Sequence, residues 1–143
     1  HNNEKIILIT QFYSTNSRLS SSTSTSSSSL SSSLSSRFIF TLKHNLNNTL
    51  IDIILLITDK LYNTSSLPFS NKIRQILMHS RLSFATAFKL ANQRYPGNII
   101  ILANSDIYFD FTLNNIRHSN ITNKVLALTK WIHSESTITF QPR

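Results

Sequence analysis

The chain has 143 residues, long enough to bury a core of its own, and carries 14 Lys and Arg against 6 Asp and Glu, a formal net charge of +8. The lack of cysteine rules out disulfides, thiolate zinc sites and Cys nucleophiles and leaves the compartment open, while a single glycine, Gly97, rules out the dinucleotide fingerprint, the P-loop and the serine-hydrolase nucleophile elbow. The longest apolar runs, 53–57 and 99–103, are far too short to cross a membrane, and the basic surplus suits polyanions such as nucleotides, phosphorylated sugars, nucleic acid or anionic lipid.

Residues 5–13, KIILITQFY, open with four consecutive aliphatic side chains, as a strand buried on both faces requires. A low-complexity insert follows over 14–36, and its run from 20 to 36 contains only Ser, Thr and Leu. Such a run has no apolar surface to bury and is expected to be disordered. Order resumes at Arg37: Phe38, Leu42 and Leu46 are spaced along one face of a short helix. Residues 50–58 read as a second buried strand, bounded by Asp59 and a polar loop with Pro68, and 72–78 as a weaker third. Residues 83–95 predict a helix with Ser83 as its N-cap and Pro96-Gly97 as its stop. Its expected core stripe is Phe84, Ala87, Phe88, Ala91 and Tyr95. A fourth strand over 99–103, a helical turn over 111–118 and a further strand over 124–131 complete the order.

Aliphatic strands alternating with helices predict a single α/β domain over 1–143, a three-layer, mostly parallel sheet with helices on both faces. Ligands of such sheets bind beyond the carboxyl ends of the strands. There the most apolar strand runs into Asn104-Ser105-Asp106, with Asp110 four residues on. That spacing places both carboxylates on one side of either a helix or a strand, which suits Mg²⁺ or Mn²⁺ completed by substrate phosphates. Arg81, Lys72, Arg74 and Lys130 are candidate phosphate partners. Two plainer readings stand beside this: Asp110 as the N-cap of a short helix starting at Phe111, and Asn104-Ser105-Asp106 as an Asx-type turn. His79, His118 and His133 have no ligand spacing, and Trp131 reads as the edge of a core.

In order and spacing, "KIILITQFY", "LIDIILLITDKLY", "RLSFATAFKLANQRYPGNIIILANSDIYFDFTL" and "LALTKW" resemble the GT-A type, family-2-like glycosyltransferases, or nucleotide-diphospho-sugar transferases, over most of the chain outside the serine-rich insert. In that family an Asp-x-Asp motif follows a central strand, and its last carboxylate holds the cation that bridges the donor diphosphate. The resemblance therefore implies a Rossmann-like sheet with Asp106 as metal ligand beside Asp110. Asn104 replaces the first acid and would hydrogen-bond a ribose or sugar hydroxyl, with Ser105 next to it. The end of the first strand, Thr10 and Gln11 through Tyr13, would border the nucleotide, and Arg81 would contact base or phosphate. The implied partners are a nucleotide-diphosphate sugar donor and an acceptor of unknown identity, with Mn²⁺ or Mg²⁺ as cofactor. General bases for the acceptor hydroxyl are limited to Asp110 and Glu135. The insert falls where a nucleotide pocket needs an ordered loop, and the chain from His1 to Arg143 leaves little for the acceptor half, so the domain is read as incomplete. The alternative is a non-catalytic α/β remnant or interaction module binding polyanions through its basic surface. Nucleic-acid binding ranks last, with no stacking aromatics seen interleaved among the basic residues.

Overall fold

The computed structural model describes residues 4–13, 36–122, 124 and 126, together with the backbone of 130–133 and 138–141. Residues 14–35, most of the serine-rich insert, lie outside the described residues, and Ser36 already belongs to a helix. The chain divides into two compact units, 1–112 and 113–143, where its pattern predicts one domain.

The first unit is α/β. Strands β1 (Ile6–Phe12), β2 (Ile53–Thr58), β3 (Ile73–Leu77) and β4 (Ile99–Leu102) form a wholly parallel sheet in the order β3-β2-β1-β4. β1 pairs with β2 through Ile9↔Leu55 and with β4 through Ile9↔Leu102, so it is hydrogen-bonded along both edges. Ile6, Ile7 and Ile9 have no exposed surface, and neither do Ile54, Leu55 and Ile57 of β2. The continuous aliphatic runs exist because both faces of these strands are covered.

Side-chain alternation separates the two faces. Ile9, Leu55 and Ile57 pack with Ala91 of helix α2 (Phe84–Arg94). On the opposite face Phe12 stacks on Phe38 of helix α1 (Ser36–Asn47) at a centroid distance of 4.2 Å and meets Tyr62 edge-on at 5.8 Å. The sheet therefore has a helix on each face, as its alternating strands and helices predict. Strand β2 begins three residues later than expected because Asp52 is used to start the sheet. Its N–H donates to the Ile6 carbonyl (3.0 Å), and its Oδ2 accepts from Ile6 N–H (2.8 Å).

Helix α2 begins and ends as its sequence signals. Ser83 Oγ accepts from Thr86 N–H at 3.1 Å, and Gly97 takes the left-handed φ of +74° just beyond its end. The expected core stripe is corrected, however. Ala87 and Ala91 are buried, whereas Phe84 is 73% exposed and Phe88 is also exposed. Two small residues bring the helix close to the sheet, and the larger rings are left outside.

The turn after Asp110, Phe111–Leu113, spans the boundary of the two units and runs into the short helix α3 (Asn114–Arg117) of the second, matching the helical turn expected over 111–118. Strand β5 (Lys130–His133) pairs antiparallel with β6 (Ile138–Gln141) in a separate two-stranded sheet. The strand expected over 124–131 is met at 130–131, not at 124 and 126, and its remaining residues, 125 and 127–129, lie outside the described residues; β5 pairs with β6 and not with the parallel sheet.

If the alanines of α2 set its distance from the sheet, Ala91→Leu should cost about 1–3 kcal/mol through overpacking. Phe84→Ser should stay within about 0.5 kcal/mol of the parent chain. Urea unfolding followed by circular dichroism measures both.

Candidate functional site

The carboxyl ends of β1 and β4 lie side by side, yet the chain leaves them on opposite sides. From β1 it proceeds to its neighbour β2, and it reaches β4 only after crossing from the far edge, β3. Such a reversal opens a crevice at the carboxyl ends of the two adjacent strands.

Gln11 shapes one wall of this crevice. Its Nε2 donates to the Ser80 carbonyl (3.0 Å) and to Tyr13 Oη (2.8 Å), and its Oε1 accepts from Leu82 N–H (2.7 Å). The Tyr13 hydroxyl also donates to the Ser80 carbonyl. These bonds hold residues on either side of Arg81, so the β3–α2 loop is fastened to the end of β1 and the exposed Arg81 is carried there with it. Both Nε2 hydrogens of Gln11 and one acceptor site of its Oε1 are directed at protein, which makes it a positioning residue.

Thr10 is one residue back and faces the other way, into the α1 layer. It is 5% exposed, and its hydroxyl has no hydrogen-bond partner; the same holds for Thr58, fully buried near the end of β2. A buried hydroxyl without a partner costs on the order of 1–3 kcal/mol. Thr10 therefore lines the interior of the fold beneath the crevice.

The other wall is the turn after β4. Ala103 N–H donates to the Ile9 carbonyl (3.1 Å), extending the ladder by one bond, and Ile107 N–H closes a turn on the Asn104 carbonyl (3.1 Å). Ser105 and Asp106 occupy the two central positions, so a turn is present as the plainer reading expects, but it is closed by the Asn104 backbone carbonyl rather than by an Asx side chain. Asp106 is exposed, and among the described residues no hydrogen bond or ion pair engages its carboxylate. Asn104 is exposed and Ser105 half-buried beside it.

Asp110 is held elsewhere. From Ile107 the chain runs back along α1, where Asn45, 3% exposed on the buried face of the helix, bonds it twice. Asn45 Nδ2 donates to the Ile107 carbonyl and its Oδ1 accepts from Phe109 N–H, each at 3.0 Å. Asn48 then donates to the carbonyls of Phe109 (2.9 Å) and Asp110 (3.4 Å). Asn48 follows the carboxyl end of α1, which lies at the amino edge of the sheet, where Lys72 and Asp52 also sit. Four residues of extended chain span up to roughly 13 Å, and this segment uses that reach to part Asp110 from Asp106. The Asp110 Oδ1 accepts from Thr112 N–H at 2.9 Å and from the Thr112 hydroxyl, the N-cap arrangement for the turn at Phe111–Leu113.

Two of the expected phosphate partners also lie at the amino edge. Lys72 Nζ donates to the Leu46 and Asn48 carbonyls, both at 3.0 Å, and so caps the carboxyl end of α1. Burial lowers its pKa from the usual lysine value, opposed in part by the nearby Asp52 carboxylate. Arg74 donates to the Asn71 and Ile73 carbonyls. Lys72 immediately precedes β3 and Arg74 is its second residue, so both lie at the end of the sheet away from the carboxyl edge.

The carboxyl edge of β1 and β4 thus carries the turn of Asn104, Ser105 and Asp106 after β4 and, fastened to the end of β1 by Gln11 and Tyr13, the loop that bears Arg81. Asn104, Ser105 and Asp106 offer hard oxygen donors of the kind Mg²⁺ and Mn²⁺ prefer. Among the described residues no group of three His, Cys, Asp or Glu side chains gathers around a common point, so a cation here would need substrate oxygens to complete its shell. Asn45 and Asn48 escape a reading based on motifs. Asn45 leaves one signal, a polar residue on the apolar stripe of α1 between Leu42 and Leu46, and Asn48, just past the helix, leaves none. No helix among the described residues is long and apolar enough to span a membrane. Compared with known protein families, curated proteins and solved structures, the chain matches none.

Asn45→Ala removes both bonds to the returning segment and should cost about 2 kcal/mol. The Phe109 amide should lose most of its protection against hydrogen exchange. Unchanged protection there would show that Asn45 does not hold the segment.

Proposed function

We propose that the chain is a GT-A-like, metal-assisted glycosyltransferase domain that binds a nucleoside-diphosphate sugar at the carboxyl edge of β1 and β4 and transfers the sugar to a hydroxyl acceptor. The observation carrying this reading is the unengaged Asp106 carboxylate on the turn after β4, the strand next to β1, to whose end the loop bearing Arg81 is fastened. The order of motifs in the sequence supports the same reading.

In this reading Asp106 holds Mn²⁺ or Mg²⁺ together with donor phosphate oxygens, and the single carboxylate is sufficient because Mg²⁺ commonly uses only one or two. The cation supplies Lewis-acid stabilisation of the negative charge on the departing diphosphate. Arg81 adds a second positive charge to the same leaving group, and Asn104 hydrogen-bonds a sugar or ribose hydroxyl. Ser105 lies between them with a further hydroxyl. Gln11 keeps the Arg81 loop at the end of β1. Asp110 is left out of the cation site because its carboxylate caps the following turn. A second reading, a polyanion-binding module without catalysis, is favoured by one feature: Asp110, one of the two candidate general bases, is occupied as a cap.

Thermal unfolding with ADP, GDP or UDP, with and without Mn²⁺, tests the proposal on the wild type and on Asp106→Ala. At ten times Kd a ligand adds about 1.4 kcal/mol, a rise of roughly 5 °C for a domain of this size. The expected result is a cation-dependent rise with at least one nucleotide that Asp106→Ala abolishes. A rise with pyrophosphate or heparin that ignores both cation and Asp106 favours the polyanion module. No rise with any nucleotide contradicts the transferase reading.

A further inference from the structure

A different surface carries aromatic rings among positive charges. The buried stripe of α1 is Phe38, Thr41, Leu42, Asn45 and Leu46. Its outer face therefore presents Phe40, 47% exposed, with Arg37 three residues before it, Lys43 three after and His44 four after, all exposed. The segment that returns past Asn45 adds Tyr108. The His44 ring stacks on Tyr108 at 4.6 Å and 26°, Phe40 meets Tyr108 edge-on at 6.0 Å, and Phe40 and His44 lie 4.4 Å apart. The linear sequence gives no hint of this third ring, because Tyr108 lies more than sixty residues away.

We propose that this outer face of α1 is a stacking platform for single-stranded nucleic acid. An exposed phenylalanine accepts a base against its ring whatever the base, since every base has a π-face. Arg37 and Lys43 lie on either side of that ring, about 9 Å apart along the helix axis, and can meet successive phosphates of a strand that tracks the helix. His44 and Tyr108 extend the aromatic surface so that more than one base has a ring to rest on. The long-range attraction comes from a net charge of +8. A duplex hides its base faces and would meet only the charges. An anionic bilayer fits poorly, because the apolar stripe of α1 is buried against the sheet and one half-exposed ring is all it offers lipid.

Fluorescence anisotropy with a labelled 12-nucleotide oligo-dT or oligo-U, at about 50 mM and 200 mM salt, tests the platform. Phe40 and Lys43 project outwards, so Phe40→Ala and Lys43→Gln should keep the parent melting temperature. The expected results are binding of the single strand in preference to a duplex of equal length, weakened roughly 5- to 100-fold by Phe40→Ala. Lys43→Gln should lower the slope of log K against log salt by about 0.7. Asp106→Ala should leave binding unchanged, which separates this surface from the crevice. Affinity that is indifferent to Phe40→Ala, or equal for duplex and heparin, would reduce the effect to charge and overturn the proposal. Absence of binding at the lower salt would overturn it as well.

Discussion

Strand β1 is hydrogen-bonded along both edges and covered on both faces, and the remainder of the first unit is arranged to satisfy that condition. A strand with no solvent on any side is predominantly apolar, must have its backbone groups paired along both edges, and needs its two faces covered, here by helices. The chain meets these demands by placing β2 on one edge and returning from β3 to place β4 on the other. The crevice at the carboxyl ends of β1 and β4 is a by-product of that routing. Gln11 and Tyr13, the first polar and half-polar side chains beyond the fully buried run, are free to fasten the neighbouring loop because they stand at its exit.

The polar residues of the core do different work at the two edges. At the amino edge, Asp52, Lys72 and Asn48 close the backbone groups that start β1, end α1 and lead into β2. At the carboxyl edge the bonds secure loops and leave one carboxylate, Asp106, outside every hydrogen bond among the described residues. The unpartnered hydroxyls of Thr10 and Thr58 lie beneath this edge, in the α1 layer. The polar side chains of the amino edge thus engage backbone groups, while the carboxyl edge keeps one exposed carboxylate.

Much of this architecture is legible from residue patterns. Four aliphatic residues in a row mark β1 and β4, and Ser83 with Gly97 marks the limits of α2. Phe38, Leu42 and Leu46 mark the buried side of α1. The periodicity of α2 does not reveal that Ala87 and Ala91 face the sheet rather than Phe84 and Phe88, because a helix pressed against a flat sheet rewards small residues while hydrophobicity alone rewards large ones. The four-residue spacing of Asp106 and Asp110 suggests a shared side only if one regular element contains both. A turn at 104–107 and the return along α1 break that regularity. The Asn45 clamp responsible joins residues more than sixty positions apart, beyond the reach of any local pattern. β5 likewise reads as one more parallel strand, yet its partner is β6, a segment to which the sequence reading assigns no element although Ile138, Thr139 and Phe140 all favour strands.

The central claim is that Asp106 holds a divalent cation with a nucleoside diphosphate in the crevice between β1 and β4. Paramagnetic broadening by Mn²⁺ of backbone amide resonances, recorded with and without a nucleoside diphosphate, examines this residue by residue. The account predicts that with nucleotide present the losses centre on residues 104–107, extend to 11–13 and 80–82, and spare residues 109–112. Broadening centred on Asp110 or on Asp52 and Glu4, or unaltered by nucleotide, would contradict it.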